Sequence, residues 1–217
     1  MDNSLRRIST EESFMNWKVD DLLYCMMLYF AEYDSAGNLF LVKKKYNDNK
    51  QLLCSICDVK GAALKDKLNK LISGGLVFES EIKYGGRTVP CFCFPYNEKE
   101  HFQMVVAKML YYLAVVGNKN LIKVYVYLLD GYQWKLRENA EFTFTAKDIM
   151  IALGYSSSIN SEVCKQIYCL LDALVKLGFV RYRDEWQYEP NSKISATKRL
   201  VLEFVARNMA EVGIDFV

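Results

Sequence analysis

The side chains best suited to chemistry in this 217-residue chain are lysines and arginines in its first half. Residues 43–87 carry ten Lys/Arg and five Asp/Glu, although the formal net charge of the whole chain is only +2. A local excess of cations attracts anionic groups such as phosphates. The candidate contact residues in this region are Lys43, Lys44, Lys45, Lys60, Lys65, Lys67, Asn69, Lys70, Lys83 and Arg87.

Apolar spacing predicts the elements that carry these cations. Leucines at helical spacing predict a helix over 62–73, which Gly74-Gly75 would end. The glycine pair Gly85-Gly86 between two strand-like runs predicts a β-hairpin over 76–94. We expect the hairpin tip to carry Lys83 and Arg87, and the helix face away from the leucines to carry Lys60, Lys67 and Lys70. On this helix only Asn69 is a candidate for a bidentate contact to a base.

The residues before this helix complete a first module over 14–97. An N-terminal helix is predicted over 17–32, with Asp20 and Asp21 in its first turn, where the helix dipole favours acids. After the module, an apolar stretch predicts a connector helix within 98–118.

The second half, 119–217, repeats the same order of elements. It predicts a helix over 161–177, a hairpin over 179–189 with its turn at Asp184-Glu185, and a C-terminal helix over 196–212. Thr145 and Asp148 predict a capping box before a helix over 146–153. The candidate contact residues are Ser157, Ser158, Asn160, Lys165, Gln166, Arg181 and Arg183. This less basic copy either contacts DNA weakly or mediates dimerisation.

The repeated pattern predicts a mainly α protein with small β-hairpins (α+β), built from two tandem winged helix-turn-helix modules. In that layout the helix before the hairpin, over 62–73 or 161–177, is the candidate recognition helix, and the hairpin is the wing. The major groove of DNA is about 12 Å wide and admits a helix. If six of these cations contact phosphates, the logarithm of the binding constant should fall with the logarithm of the salt concentration with a slope of about −5.

From Leu121 to Tyr188 the chain resembles the winged-helix domains of replication initiators from plasmids and phages of Gram-positive bacteria. The stretches that carry the resemblance are Lys123–Leu129, Phe142–Asp148, Leu153–Tyr155 and Leu170–Val180. The region Leu39–Phe94 supplies the other copy of a tandem arrangement. The resemblance implies a DNA-binding protein that recognises repeated origin sites as a monomer or dimer, and transcriptional regulators of mobile elements share the fold.

The functional expectation is therefore non-catalytic binding of double-stranded DNA, as a replication initiator or as a regulator of a plasmid, phage or other mobile element. Further expected partners are a second copy of the chain, in a homodimer, and other replication proteins. The alternative is a winged-helix scaffold that binds proteins and not DNA. The two hypotheses differ in whether generic duplex binds at about 50 mM salt.

No enzyme, cofactor or metal is predicted. The single histidine, His101, has no evident nucleophile and orienting partner, and phosphate-binding or metalloprotease motifs are absent from the sequence. The one metal alternative is a zinc site of four thiolates, from Cys54, Cys57, Cys91 and Cys93. Buried free thiols explain these cysteines equally well.

The hydropathy pattern predicts a cytoplasmic protein without a membrane segment. The longest apolar run, Leu22–Ala31, has ten residues, whereas a spanning helix needs about 20. The charged residues 1–12 do not form a signal peptide. Seven cysteines within apolar patterns fit a reducing compartment.

Overall fold

Helices and small antiparallel sheets alternate along the chain. The computed structural model describes residues 4–96, 100–156, 158, 161–187 and 197–205. Over these residues the protein combines α-helices with three antiparallel sheets of two, four and three strands. The predicted α+β class is confirmed at this level.

The first half builds the four-stranded sheet and the helices packed on it. Its elements are β1 (Leu5–Ser9), α1 (Glu12–Met15), α2 (Asp21–Phe30), β2 (Glu32–Tyr33), β3 (Leu39–Val42), α3 (Lys43–Asp48), α4 (Lys50–Ile56), α5 (Gly61–Ser73), β4 (Phe78–Tyr84) and β5 (Arg87–Phe94). The strand order in the sheet is β2-β3-β5-β4. The helix and hairpin predicted over 62–73 and 76–94 are α5 and β4–β5.

The second half builds the three-stranded sheet. Its elements are β6 (Phe102–Val106), α6 (Ala107–Val115), α7 (Leu121–Arg137), β7 (Thr143–Phe144), α8 (Ala146–Ala152), α9 (Ser161–Lys176), β8 (Val180–Gln187) and β9 (Thr197–Phe204). The strand order is β7-β9-β8. The capping box of Thr145 and Asp148 forms at the start of α8, as predicted.

The two halves share one order of elements. Each has a first helix (α2 or α7), then short strands (two in the first half, one in the second), then further helices (three in the first half, two in the second) and then two long strands. In both sheets the last strand in the chain lies between the strand before it and a short strand, so β5 separates β3 from β4 and β9 separates β7 from β8. The repeat is therefore one of topology as well as of sequence pattern.

The connector helix predicted within 98–118 is wrong over its first part. Residues 102–106 form β6, which pairs antiparallel with β1, and the helix is confined to Ala107–Val115. The apolar residues of this stretch suit a helix or a strand equally. The pairing partner, about 100 residues earlier in the chain, decides in favour of the strand.

The hairpin predicted over 179–189 is also wrong in its turn. Asp184 pairs with Leu200 inside a continuous ladder from Val180 to Gln187, so no turn forms there. The partner strand β9 occupies residues 197–204, which contradicts the helix predicted over 196–212 in that range. Leu200, Val201 and Phe204 are buried against the rest of the half. Residues 188–196 and 206–217 lie outside the described residues.

The N-terminal helix is shorter than the predicted 17–32. Helix α2 begins at Asp21, and the side chain of Asp20 accepts a hydrogen bond of 2.8 Å from the Leu23 N–H as its N-cap. Asp20 therefore caps the helix and does not lie in its first turn. The residues before it, including Trp17, form a loop against the second half, where the Trp17 N–H donates to Leu153 O at 2.8 Å.

One core joins the two halves, and two buried cations lie in it. Arg6 of β1 is 2% exposed and Lys123 of α7 is fully buried. Arg6 donates to the carbonyl oxygens of Leu28 and Ala31 at the end of α2. The Lys123 Nζ donates to Asn16 O at 2.7 Å and to Val19 O at 2.9 Å. Both cations satisfy backbone carbonyls that the fold removes from water.

A glycine in the middle of α7 makes room for an aromatic ring. A Cβ added at Gly131 would lie 2.4 Å from the Cε2 and Cζ atoms of Phe142. Phe142 is 9% exposed and stacks on Phe144 with ring centroids 5.5 Å apart, so its ring has little space to move. This close approach explains why a glycine occupies position 131, although glycine in a helix interior is less stable than alanine by about 1 kcal/mol.

We expect Gly131→Ala to lower the free energy of unfolding by about 1–3 kcal/mol, because the extra methyl overpacks the ring of Phe142. Urea unfolding followed by circular dichroism measures the change. Gly61→Ala is the control, because its Cβ would meet only Lys50 Cε at 3.7 Å, an ordinary contact. A Gly131→Ala protein as stable as the parent would refute this packing.

Candidate nucleic-acid interface

Helix α5 presents a buried face and an exposed face. Leu64, Leu68 and Leu71 are buried in the core of the first half. On the other side Lys65, Asp66, Asn69 and Lys70 are exposed, and Lys60 is exposed at the N-cap position. The exposed face thus combines three cations, one amide and one carboxylate.

The hairpin after α5 carries two further cations at its tip. Gly85 and Gly86 adopt φ values of +57° and +78°, which a two-residue turn of this kind requires. Lys83 and Arg87 flank the turn and are exposed. Strand β4 also exposes Glu79 and Glu81, so the hairpin has mixed charge and its cations are concentrated at the tip.

Lys67 does not lie on the outward face that the sequence predicted. Its ammonium pairs with the Asp20 carboxylate, and the two side chains are 29% and 13% exposed. Asp20 also caps α2, so the pair ties α5 to the start of α2. The predicted alignment of Lys67 with Lys60 and Lys70 is wrong, because a carboxylate of another helix holds Lys67 against the core.

The basic run Lys43-Lys44-Lys45 forms the first turn of α3, and each lysine pairs with a carboxylate. The N–O distances are 2.8 Å from Lys43 to Glu79, 2.6 Å from Lys44 to Asp48 and 2.7 Å from Lys45 to Glu32. The hydrogen bond from Lys45 lowers the pKa of Glu32. Exposed pairs of this kind are worth only about 0–1 kcal/mol, so a phosphate can compete for Lys44, which is 81% exposed.

A small cavity brings together lysines from two segments. Lys43, Lys50 and Lys65 line a space of about 220 Å³ between α3–α4 and α5, together with Asn47 and Glu79. Lys50 was not among the residues selected from the sequence. In the sequence Lys50 is marked only by its place in the basic region 43–87. Its position beside α5 depends on how α4 packs, which the local sequence does not show.

The candidates of the second half do not form one surface. Lys165 and Gln166 are exposed on α9 and line one cavity with Trp17 and Tyr155, and Lys165 Nζ lies 3.6 Å from Glu162. Arg181 and Arg183 line a different cavity beside the end of α7, and Arg183 pairs with Glu141 at 2.8 Å. Ser158 is exposed, whereas Ser157 and Asn160 lie outside the described residues.

The cysteines do not assemble a metal centre. No group of three or more His, Cys, Asp or Glu side chains within the described ranges is arranged to hold a metal ion. The Sγ atoms of Cys91 and Cys93 are 3.5 Å apart, but Cys54 and Cys57 do not join them. Burial raises the pKa of both Cys57 and Cys91 to about 12, which keeps these thiols protonated. The four thiols of the zinc alternative therefore do not come together in the described part of the chain.

His101 links three elements near the start of β6. Its Nδ1 lies 3.0 Å from Thr10 Oγ1 and 3.7 Å from Asp130 Oδ1. The Thr10 hydroxyl is within hydrogen-bond distance of Nδ1, whereas Asp130 at 3.7 Å is too far to hydrogen-bond this nitrogen and so does not orient the imidazole as a triad aspartate does. Burial raises the pKa of Asp130, and the positive charge of a protonated His101 opposes that shift.

Comparisons with protein-family models, with curated proteins and with solved structures found no match to this chain. Among the helices of the described residues, none combines the length and the apolar character needed to cross a bilayer. The functional conclusion therefore depends on the geometry and chemistry of the surface described above.

Proposed function

We propose that each half of the chain is a winged-helix module. The order of a first helix, one or two short strands, further helices and two long strands, with the last strand between a short strand and the strand before it, supports this interpretation for both halves. In this interpretation α5 and α9 are the recognition helices, and β4–β5 and β8–β9 are the wings. The shared core then holds two such modules in one arrangement.

We propose that the first module binds double-stranded DNA without catalysis. The observation that carries this proposal is the exposure of Lys60, Lys65, Lys70, Lys83 and Arg87 on one helix and the adjoining hairpin tip. Among the described residues no carboxylate pairs with these five, whereas Lys43, Lys44, Lys45 and Lys67 are all paired. Lysines of this kind contact phosphates, and Asn69 is the candidate for reading a base.

The biological role proposed is that of a replication initiator, or of a regulator, of a plasmid, phage or other mobile element. The resemblance to initiators of Gram-positive plasmids and phages supports the first role. In the second module the paired Arg183 and the separate positions of Lys165 and Arg181 favour a supporting contact or a dimer interface over a second full DNA surface. Such a protein acts in the cytoplasm.

The test is fluorescence anisotropy with a labelled duplex of generic sequence at several salt concentrations. Five phosphate contacts predict a log–log slope of about −4.5, at about −0.9 per contact. In the triple variant Lys65→Gln, Lys70→Gln, Arg87→Gln two contacts remain, so the slope should be about −1.8. Binding at low salt should be at least tenfold weaker than in the parent. Lys67 stays unchanged, because it holds Asp20.

The control is a second triple variant with the same loss of charge, Arg137→Gln, Lys147→Gln and Lys176→Gln, at exposed positions of the second half. Its log–log slope should differ from that of the parent by no more than about 0.9, the contribution of one phosphate contact. Absence of duplex binding at about 50 mM salt, or equal losses in the two variants, would contradict DNA binding by α5 and its hairpin.

A second candidate function is binding of a protein partner through the first hairpin. Strand β4 is an edge strand of its sheet and exposes two aromatic rings, Phe78 and Tyr84, each 46% exposed. Glu79 and Glu81 between them would repel phosphates. Under this alternative a Phe78→Ser change abolishes the interaction while the lysine variants leave it intact.

A further inference from the structure

A cavity of about 430 Å³ lies where the two halves of the chain meet. Four segments line it: Trp17 before α2, the loop 118–120 between α6 and α7, the residues 153–155 after α8, and the first half of α9. Sites for small molecules typically measure about 300–1,000 Å³ and favour boundaries between structural units. Lys165 and Gln166 of this lining were selected from the sequence as DNA contacts, but the duplex surface proposed on α5 does not include this space.

One side of the cavity is aromatic. The rings of Trp17 and Tyr155 stack with centroids 5.0 Å apart and planes inclined by 14°. The hydrogen bond from the Trp17 N–H to Leu153 O holds this stack in place. A flat and rigid aromatic pair is a surface on which heterocyclic bases stack.

The other lining side chains offer hydrogen bonds and positive charge. Three amides, Asn118, Asn120 and Gln166, supply both donors and acceptors. Two lysines, Lys119 and Lys165, add cations. Among the described lining residues the single carboxylate is that of Glu162, so the lining has a net positive charge.

A buried network fixes two walls of the cavity relative to each other. The Lys123 Nζ binds Asn16 O and Val19 O on either side of Trp17, and it lies 3.4 Å from Asn120 Oδ1 in the loop. The amide oxygen of Asn120 is therefore engaged, and its Nδ2 group is left to donate to a ligand. A wall that is ordered before binding loses little entropy when a ligand arrives.

We propose that this cavity binds a nucleotide, with its base beside the Trp17–Tyr155 pair, its edge on the amides and its phosphate on Lys119 and Lys165. The combination of an aromatic wall, mixed amide groups and lysines matches a ligand that is planar at one end and anionic at the other. A free nucleotide and a nucleotide within a single strand share this chemistry. The inference does not depend on duplex binding by α5.

The experiment uses Cys169, an exposed thiol that lines the cavity. Its rate of modification by a maleimide is followed by peptide mass spectrometry on the full chain, with ATP, adenosine, pyrophosphate or a short single-stranded oligonucleotide. ATP at about ten times its Kd should slow modification about tenfold, because only the unoccupied fraction reacts. Adenosine and pyrophosphate at the same concentration should protect far less.

Protection by the oligonucleotide but not by ATP would support the same site and assign the nucleotide to a nucleic-acid strand. Protection by none of the ligands would overturn the proposal. Protection by pyrophosphate as strong as that by ATP would overturn it in favour of a plain anion site, and equal protection by adenosine would overturn it in favour of a nucleoside site.

A matched pair of variants places the ligand. Lys165→Ala with Gln166→Ala, both exposed on α9, should raise the ATP concentration needed for half-protection at least tenfold. Lys176→Ala, exposed on the same helix but outside the cavity, should leave it unchanged. Equal protection in both variants would overturn the proposed position. Failure here leaves duplex binding intact, because that test changes Lys65, Lys70 and Arg87.

Discussion

Replacement of Lys123 by methionine is expected to lower the free energy of unfolding by about 3–5 kcal/mol, the largest effect that we predict for a single side chain. The ammonium is fully buried and satisfies Asn16 O and Val19 O. Methionine fills similar space but leaves both carbonyls without a donor and leaves Asp21 without a nearby cation. Urea unfolding measures the loss, and Lys119→Met, at an exposed position in the loop before α7, should stay within about 0.5 kcal/mol of the parent.

The coupling of Lys123 to Asp21 gives a second measurement. Burial raises the pKa of Asp21 to about 6, and the attraction of Lys123 opposes that rise. In the double variant Lys123→Met, Asp21→Asn neither charge of this buried pair remains. Its loss in free energy of unfolding should therefore be smaller than the sum of the losses in the two single variants by about 1–3 kcal/mol. Simple additivity would show that the two groups do not interact.

The same lysine predicts a pH dependence with a definite sign. Burial lowers the pKa of Lys123 from 10.5 in the unfolded chain to about 8 in the fold. Between these values the unfolded chain binds more protons, so stability rises with pH. The stability difference between the parent and Lys123→Met should increase by about 2 kcal/mol from pH 7 to pH 9.5. A difference that is constant over this range contradicts the lowered pKa.

Replacement of Arg6 by methionine is expected to destabilise the protein by about 2–4 kcal/mol, because it leaves two buried carbonyls unsatisfied. Arg6 donates from Nε to Leu28 O at 2.9 Å and from a terminal nitrogen to Ala31 O at 2.8 Å. Helix α2 has no basic residue in its last turn, so Arg6 of β1 supplies the positive charge that the end of the helix favours.

The neighbouring arginine is the control for this prediction. Arg7 points to the other side of β1, where it is half-buried over the ring of Tyr96 at 3.9 Å. Arg7→Met should cost less than about 1 kcal/mol, since a cation–π contact at a partly exposed site is weak. Thermal unfolding of both variants compares them at one pH. Equal losses at positions 6 and 7 would mean that the capping of α2 is not the source of the effect.

The candidate surface shows where prediction from the sequence succeeds and where it fails. Lys65, Lys70, Lys83 and Arg87 are exposed on the helix and hairpin that local periodicity and the Gly85-Gly86 turn predicted. Lys67 is on the same helix, yet the side chain of Asp20 holds it inward. The two residues are 47 positions apart, and no local pattern reports such a pairing.

The sequence by itself determined the elements whose signals are local: the amphipathic period of α5 and α9, the capping box of Thr145, and the glycine turn of the first hairpin. Only the tertiary structure decided what depends on a distant partner. Residues 102–106 form a strand because they pair with β1, and residues 197–204 form a strand because they pair with β8. Lys123 is buried where its ammonium donates hydrogen bonds to the loop before α2. Strand pairing and burial of charge depend on long-range contacts, whose free energy cannot be read from neighbouring residues.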